Sequence, residues 1–153
     1  RFSDADFAKR HPGGSLGGML RSVMDVIRFR AGDNLPLVPD SLSVSDALTE
    51  ASRQSDRRPG ALILIDSSGS LSGIFTDGDL RRLVVQTPEQ LAQPISAAMT
   101  RSPRTLRDDA LVRDGVTLFR EHRQDEIPIV DAAGRPVGLL DVQDLIALRL
   151  VRD

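Results

Sequence analysis

The chain has 153 residues, is 40% hydrophobic and 27% charged, and carries a formal net charge of −2. That suits one compact unit or two small halves sharing a core, since about 60 residues alone bury too little apolar surface for comfortable stability. The charge gives no global field for nucleic acid, the absence of Trp and Tyr removes base-stacking platforms, and the absence of Cys removes disulfides and thiolate metal sites. The basic residues are nearly all Arg, with Lys9 the one lysine. No apolar run approaches a membrane span, no signal peptide is visible, and Arg1 at the head points to a natural start further upstream.

Residues 1–20 differ from the rest. Ser3 can cap a short helix through Arg10, with Asp6 as its capping-box partner. His11-Pro12-Gly13-Gly14-Ser15-Leu16-Gly17-Gly18 cannot continue it and reads as a loop or linker. Leu35-Pro36-Leu37-Val38 is a short edge-type strand. Ser43 caps a helix over 43–55 whose apolar stripe is Val44, Ala47, Leu48 and Ala51, and Arg57-Arg58-Pro59 ends it. Ala61–Ile65 is an apolar run of strand length, Asp66-Ser67-Ser68-Gly69 supplies turn chemistry, and Leu71–Phe75 returns as a strand. Thr76 opens a helix over 77–85 with Asp79 three residues on, a Thr-x-x-Asp at a strand-to-helix junction. Thr87-Pro88 breaks it, and Glu89–Ala92 is read as one helical turn.

The pattern then repeats. Asp66, Gly69, Gly73 and Asp79 match Asp131, Gly134, Gly138 and Asp144 at one constant offset. Val44–Leu48 matches Val112–Val116 at a slightly larger offset, and Val23–Asp25 is aligned with Ala98–Thr100 at a larger one still. In the second copy Thr105-Leu106 reads as a strand, 109–121 as a helix with Val112, Val116 and Phe119 inward, Glu126–Val130 and Pro136–Leu140 as strands, and 142–150 as the last helix. The fold class is α+β: two β-α-β-β-α repeats packed as a pseudo-twofold pair. The expected division is 1–20 as a linker or tail, 21–93 as the first repeat and 94–153 as the second.

Gly-Ile-Phe-Thr-Asp-Gly-Asp-Leu-Arg-Arg (73–82), its counterpart over 137–144 and the β-α-β-β-α order resemble a tandem CBS-domain pair, or Bateman module, over roughly residues 22–151. The head, Asp6-Phe7-Ala8-Lys9-Arg10-His11-Pro12-Gly13-Gly14-Ser15-Leu16-Gly17, resembles the junction in arabinose-5-phosphate isomerases, where a sugar-isomerase (SIS) domain precedes two CBS domains. That family interconverts ribulose 5-phosphate and arabinose 5-phosphate on the route to the lipopolysaccharide sugar Kdo. The resemblance implies a cytoplasmic regulatory piece whose enzymatic partner domain lies upstream. The chain itself has no nucleophile–base pair and no metal cluster, and is not expected to be an enzyme.

The resemblance also assigns residues. It makes His11 an active-site residue serving the SIS domain, idle without it. It puts a ribose-binding carboxylate at Asp79 and a hydroxyl for ribose or phosphate at Thr76. Leu62, Ile63, Leu64, Asp77 and Arg82 complete the first site, and Ile127, Pro128 and Asp144 belong to the second. Physical chemistry fits: a carboxylate accepts two donors at once, and a helix N-terminus attracts phosphate. The same Thr-x-x-Asp would exist as a cap without any ligand. Arg81, Arg82 and Arg123 can pair with phosphate, though such arginines are more often solvated. Asp141 stands where Thr76 stands and places a negative charge at the equivalent point, so one dominant site, in the first repeat, is expected. No cofactor is required. The expected ligand is a regulatory nucleotide, an adenine nucleotide or CMP-Kdo, and the expected partners are further copies of the chain through its helices, as a dimer or as a tetramer in the full-length protein, with no nucleic acid and no membrane. The alternative is a structural oligomerisation module that binds nothing.

Overall fold

The computed structural model describes residues 15–57 and 59–151. The capped helix expected over 3–10 and His11 lie outside the described residues. Two four-stranded sheets stand face to face, each carrying helices on its outer side. The first has the order β2 (Leu37–Pro39), β3 (Ala61–Ile65), β4 (Leu71–Thr76), β5 (Thr100–Arg101). The second has the order β1 (Phe29–Arg30), β8 (Pro136–Asp141), β7 (Glu126–Val130), β6 (Leu106–Arg107). Both central strands are near-continuous apolar runs because both faces of each sheet are buried. Leu64 and Phe75 face the helices of the first repeat, and Ile127, Ile129 and Leu140 those of the second. Ile63, Ile74 and Leu139, with Phe29 and Leu35, form the layer between the sheets.

Ahead of the sheets, Ser15–Met19 forms a short helix, α1, rather than the expected loop, with Gly18 beside Leu150. Each repeat is then built alike. A parallel strand pair is joined through a crossover helix, α2 (Val44–Gln54) between β2 and β3, and α4 (Val112–His122) between β6 and β7. Ser43 caps α2 by accepting from the Asp46 N–H at 3.0 Å. A hairpin follows, its turn held by Asp66 Oδ1 accepting from the Ser68 and Ser70 amides and, in the second copy, by Asp131 Oδ1 accepting from Ala133 and Arg135. Gly69 and Gly134 take φ of 86° and 83°, the left-handed conformation these turns require. The returning strand runs straight into α3 (Asp77–Gln86) or α5 (Val142–Ala147).

The repeats also exchange strands. β1, at the head of the first repeat, pairs antiparallel with β8 of the second, Phe29 opposite Leu139. β5, at the head of the second, pairs antiparallel with β4 of the first, Thr100 opposite Ile74. Sequence patterning misses both, since each two-residue strand pairs outside its own repeat. The exchange also corrects the repeat alignment at its head. The 3-10 turn Val23–Asp25 corresponds to the 3-10 turn Ile95–Ala97 rather than to Ala98–Thr100. Two isolated bridges are related in the same way, Ser22 with Leu111 and Pro94 with Ser43.

Several boundaries also differ from expectation. The short strands fall at Leu37–Pro39 and Leu106–Arg107, shifted toward the partners their parallel bonds select. The helix expected from 109 starts at Val112, where Leu111 is the N-cap and donates its N–H to Asp114 Oδ2 at 2.9 Å. The helix expected to reach 150 stops at Ala147, and Arg149 takes φ of 60° so that Leu150 folds back into the second core.

Candidate functional site

The site lies at the head of α3. Thr76 ends β4 in extended conformation and caps the helix. Its Oγ1 accepts from the Asp79 N–H at 3.0 Å, and its own N–H donates to Asp79 Oδ2 at 2.9 Å, a complete capping box. With Oγ1 accepting from the backbone, its hydroxyl proton is left to donate elsewhere. The other carboxylate oxygen, Asp79 Oδ1, pairs with Arg82 Nη2 one turn along α3. That guanidinium is largely exposed, so a ligand can displace it at little cost.

Beside this junction a cavity of about 390 Å³ opens between α2 and the first sheet. That is in the range of small-molecule sites. Its walls are apolar, with Leu48 and Ala51 from α2, Leu62 and Phe75 from the sheet, and Leu80 from α3. Its mouth is polar, with Ser55, Asp56 and Arg57 on one side and Thr76 and Asp77 on the other. Of the residues the sequence nominated, Leu62, Thr76 and Asp77 line it. Asp79 is tied to it through the capping box with Thr76 rather than lying in its wall, and Arg82 is tied to it only through Asp79. Ile63 and Leu64 do not reach it. Both are sealed, Ile63 between the sheets and Leu64 under α2.

The second repeat carries different residues at the corresponding positions. Leu48 and Ala51 correspond to Val116 and Phe119, and both counterparts are buried against the second core. Ala61 corresponds to Glu126, Phe75 to Leu140 and Leu80 to Leu145, with the two leucines at 0% exposure. A phenyl ring stands where Ala51 has a methyl group, whereas Val116 and Leu140 are smaller than Leu48 and Phe75. Ile127 and Pro128, nominated for a second site, are both buried.

The second carboxylate is also taken. Asp144 is 3% exposed and completes the capping box of α5, its Oδ2 accepting from the Asp141 N–H at 3.0 Å. Its Oδ1 accepts from Arg28 Nε at 2.7 Å, and the same guanidinium lies 3.8 Å from Asp141 and over the Phe29 ring. Burial still holds the Asp144 carboxyl above the usual aspartate range, against the opposing pull of the Asp141 amide and Arg28. Arg28 immediately precedes β1, so the strand exchange is what delivers it. Sequence reasoning missed Arg28 for that reason. The contrast of Ala51 with Phe119 was readable from the repeat alignment.

Glu126 was missed as well. It begins β7, opposite Asp141 in register, and its side chain crosses to the first repeat. A Cβ at Gly60 would lie 2.5 Å from its Oε1. Burial and then the charges of Asp141, Asp125, Asp77 and Asp79 push its carboxyl up to about 7. Among the described residues no group of three or more His, Asp or Glu is placed to hold a metal, and no helix is long and apolar enough to cross a membrane.

Comparison with known proteins agrees with this architecture. The CBS domain model matches residues 23–86 and 95–150. Arabinose 5-phosphate isomerase KdsD of Pseudomonas aeruginosa is 36% identical over 146 residues, covering 95% of this chain and 43% of that protein. Arabinose 5-phosphate isomerase GutQ of Salmonella typhimurium is 36% identical over 143 residues, with 94% and 43% covered. The chain therefore spans less than half the length of these curated relatives. Among solved structures, CBSX2 in complex with AMP superposes with a TM-score of 0.68 at 28% identity, covering 85% of this chain and 96% of that one. The protein ATU1752 from Agrobacterium tumefaciens gives 0.68 at 25%, with 86% and 96% covered. With a family model matched twice, at the two structural repeats, the chain belongs to the CBS-domain family as a tandem pair.

Proposed function

We propose that this chain is the regulatory, nucleotide-sensing module of a sugar-phosphate isomerase, with a single ligand site in the cleft of the first repeat. One observation carries the reading. The first cleft holds a cavity of about 390 Å³, with an apolar inner wall, against a capped helix N-terminus, while in the second repeat Phe119 stands where the cavity has Ala51 and Asp144 is engaged by Arg28. A flat ring fits between Leu62 and the α2 face. Ribose hydroxyls would then meet Asp79 and Thr76, and a phosphate would meet the head of α3. AMP in a solved relative supports an adenine nucleotide. CMP-Kdo is the second candidate, as the activated sugar downstream of the relatives' product. The parent's aldose–ketose chemistry belongs to a domain outside residues 15–151, to which His11 would contribute a proton-transfer group.

Titration calorimetry and thermal unfolding with AMP, adenosine and CMP-Kdo test the site. One ligand per chain is expected, and saturation at 100 times Kd stabilises the fold by about 2.7 kcal/mol. Asp79→Ala removes most of that gain. If no nucleotide shifts the unfolding temperature, the module is a scaffold. The scaffold reading has its own support in Val84 and Val85 on α3, branched apolar side chains that are 47% and 76% exposed. Light scattering on Val84→Glu and Val85→Glu variants tests α3 as a self-association face.

A further inference from the structure

Glu126 belongs to the second repeat by sequence, yet its carboxylate abuts the first. The position it occupies is held by Ala61 in the first repeat, which lines the cavity. Glu126 Oε1 stands 2.5 Å from where a Cβ on Gly60 would begin, so any side chain at that position would push the carboxylate aside. The Gly60 carbonyl accepts from the Asp77 N–H at 3.0 Å, which fixes the first residue of α3. The Glu126 carboxylate is thus built against the peptide that anchors the head of the ligand-bearing helix. Charged groups face it from each neighbouring element: Asp77 and Asp79 on α3, Asp141 at the end of β8, and Asp125 just before β7. Arg82 is engaged with Asp79, and Arg28 with Asp144 and Asp141.

We propose that Glu126 is a specificity-determining residue of the first-repeat cleft, supplied across the repeat interface: a phosphorylated nucleoside seated on Thr76 and Asp79 binds together with one proton on Glu126, whereas an unphosphorylated nucleoside binds without it. The inference rests on the reading of that cleft as a nucleotide site. Its physical basis is that a phosphate at the head of α3 adds negative charge beside a carboxylate already crowded by four others. Protonation of Glu126 relieves that charge, because burial has brought this carboxyl to about 7, within reach of neutral pH. The cleft's preference for a nucleoside monophosphate over the free nucleoside therefore falls as pH rises.

The test is calorimetry with AMP and adenosine between pH 6 and pH 8, on wild type and Glu126→Gln. For wild type, AMP affinity falls about tenfold more over that range than in the variant, the full proton linkage of a group titrating near 7. The phosphate's own second ionisation, near 6, is common to both proteins and cancels in the ratio. Adenosine affinity changes less than about twofold in either. Repeating the AMP titration at pH 7 in buffers of different ionisation heat gives net proton uptake in wild type and markedly less in Glu126→Gln. AMP binding with the same pH profile and proton uptake in both proteins overturns the inference and leaves the cleft reading intact. Failure of both AMP and adenosine to bind either protein overturns both.

Discussion

Arg28→Met isolates the pair that holds the exchanged strand to the second repeat. Asp144's side chain is 0% exposed and has two donors, Arg28 Nε at 2.7 Å and the Asp141 amide at 3.0 Å. Removing the guanidinium leaves a buried carboxylate with one. Breaking a fully buried ion pair by deleting one member costs about 3–5 kcal/mol. Arg28's side chain is 48% exposed, so water can follow the missing group from one side, and about 2–3 kcal/mol is expected. The sign with pH follows. Asp144's folded carboxyl already sits above its unfolded value, so its contribution to stability falls as pH rises through that interval. Without Arg28 the folded value climbs further, so the variant's deficit is largest at pH 8 and shrinks at pH 4.5. Urea unfolding of wild type, Arg28→Met, Asp144→Asn and the double variant, at both pH values, measures this. Asn at 144 can still accept from the Asp141 amide, so the cap survives. The double variant should be more stable at pH 8 than the sum of the singles by at least about 1 kcal/mol. Additivity within about 0.5 kcal/mol, with no pH trend, would refute the pairing as an energetic lock.

Other expectations follow from the same geometry. Ala51→Phe copies Phe119 into the first repeat; it should abolish the AMP-induced thermal shift while changing stability by no more than about 1–3 kcal/mol, as calorimetry and urea unfolding will show. Glu126→Gln should leave stability unchanged near pH 4 and raise it by about 1–2 kcal/mol at pH 8 in the same urea assay. The native carboxyl is lifted from 4.5 to about 7, so it destabilises progressively as pH rises between those values, and solvent screens part of that penalty. Gly73→Ala should cost about 1–3 kcal/mol in urea unfolding, because its Cβ would lie 2.7 Å from the Thr100 carbonyl oxygen and 2.6 Å from the Met99 sulfur and would push β5 off β4.

Much of this was legible in the residues. Ala61–Ile65 and Glu126–Val130 were read with their observed bounds, because a short apolar run flanked by turn chemistry leaves few alternatives. Ser43 and Thr76 announce the starts of α2 and α3 by side-chain capping, a local interaction that sequence records directly. The cleft is half legible. Thr76 stands out because it caps, but Ala51 looks like any core alanine until Phe119 is set beside it. Arg28 and Glu126 could not be found by pattern. Each acts on a repeat other than its own, and such pairings are set by tertiary contact between segments far apart in the chain, with no local signature. The same holds for β1 and β5, whose partners lie in the other repeat.

The strand exchange also sets an order of assembly as the chain leaves the ribosome. β2, β3 and β4 can pair as soon as they emerge, and the first sheet is complete once Thr100 and Arg101 appear. Of the described strands β1 emerges first and waits longest, since Phe29 pairs with Leu139, 110 residues further on. At about 5–20 residues per second that is a delay of roughly 5–20 seconds. Contacts so distant in sequence slow folding. A nascent or truncated chain ending before Thr100 would leave the β4 backbone at Gly73 and Ile74 as an open edge, the kind of edge that recruits other chains into aggregates. Cutting the protein between its two repeats therefore gives not two small domains but two sheets, each short of an edge strand.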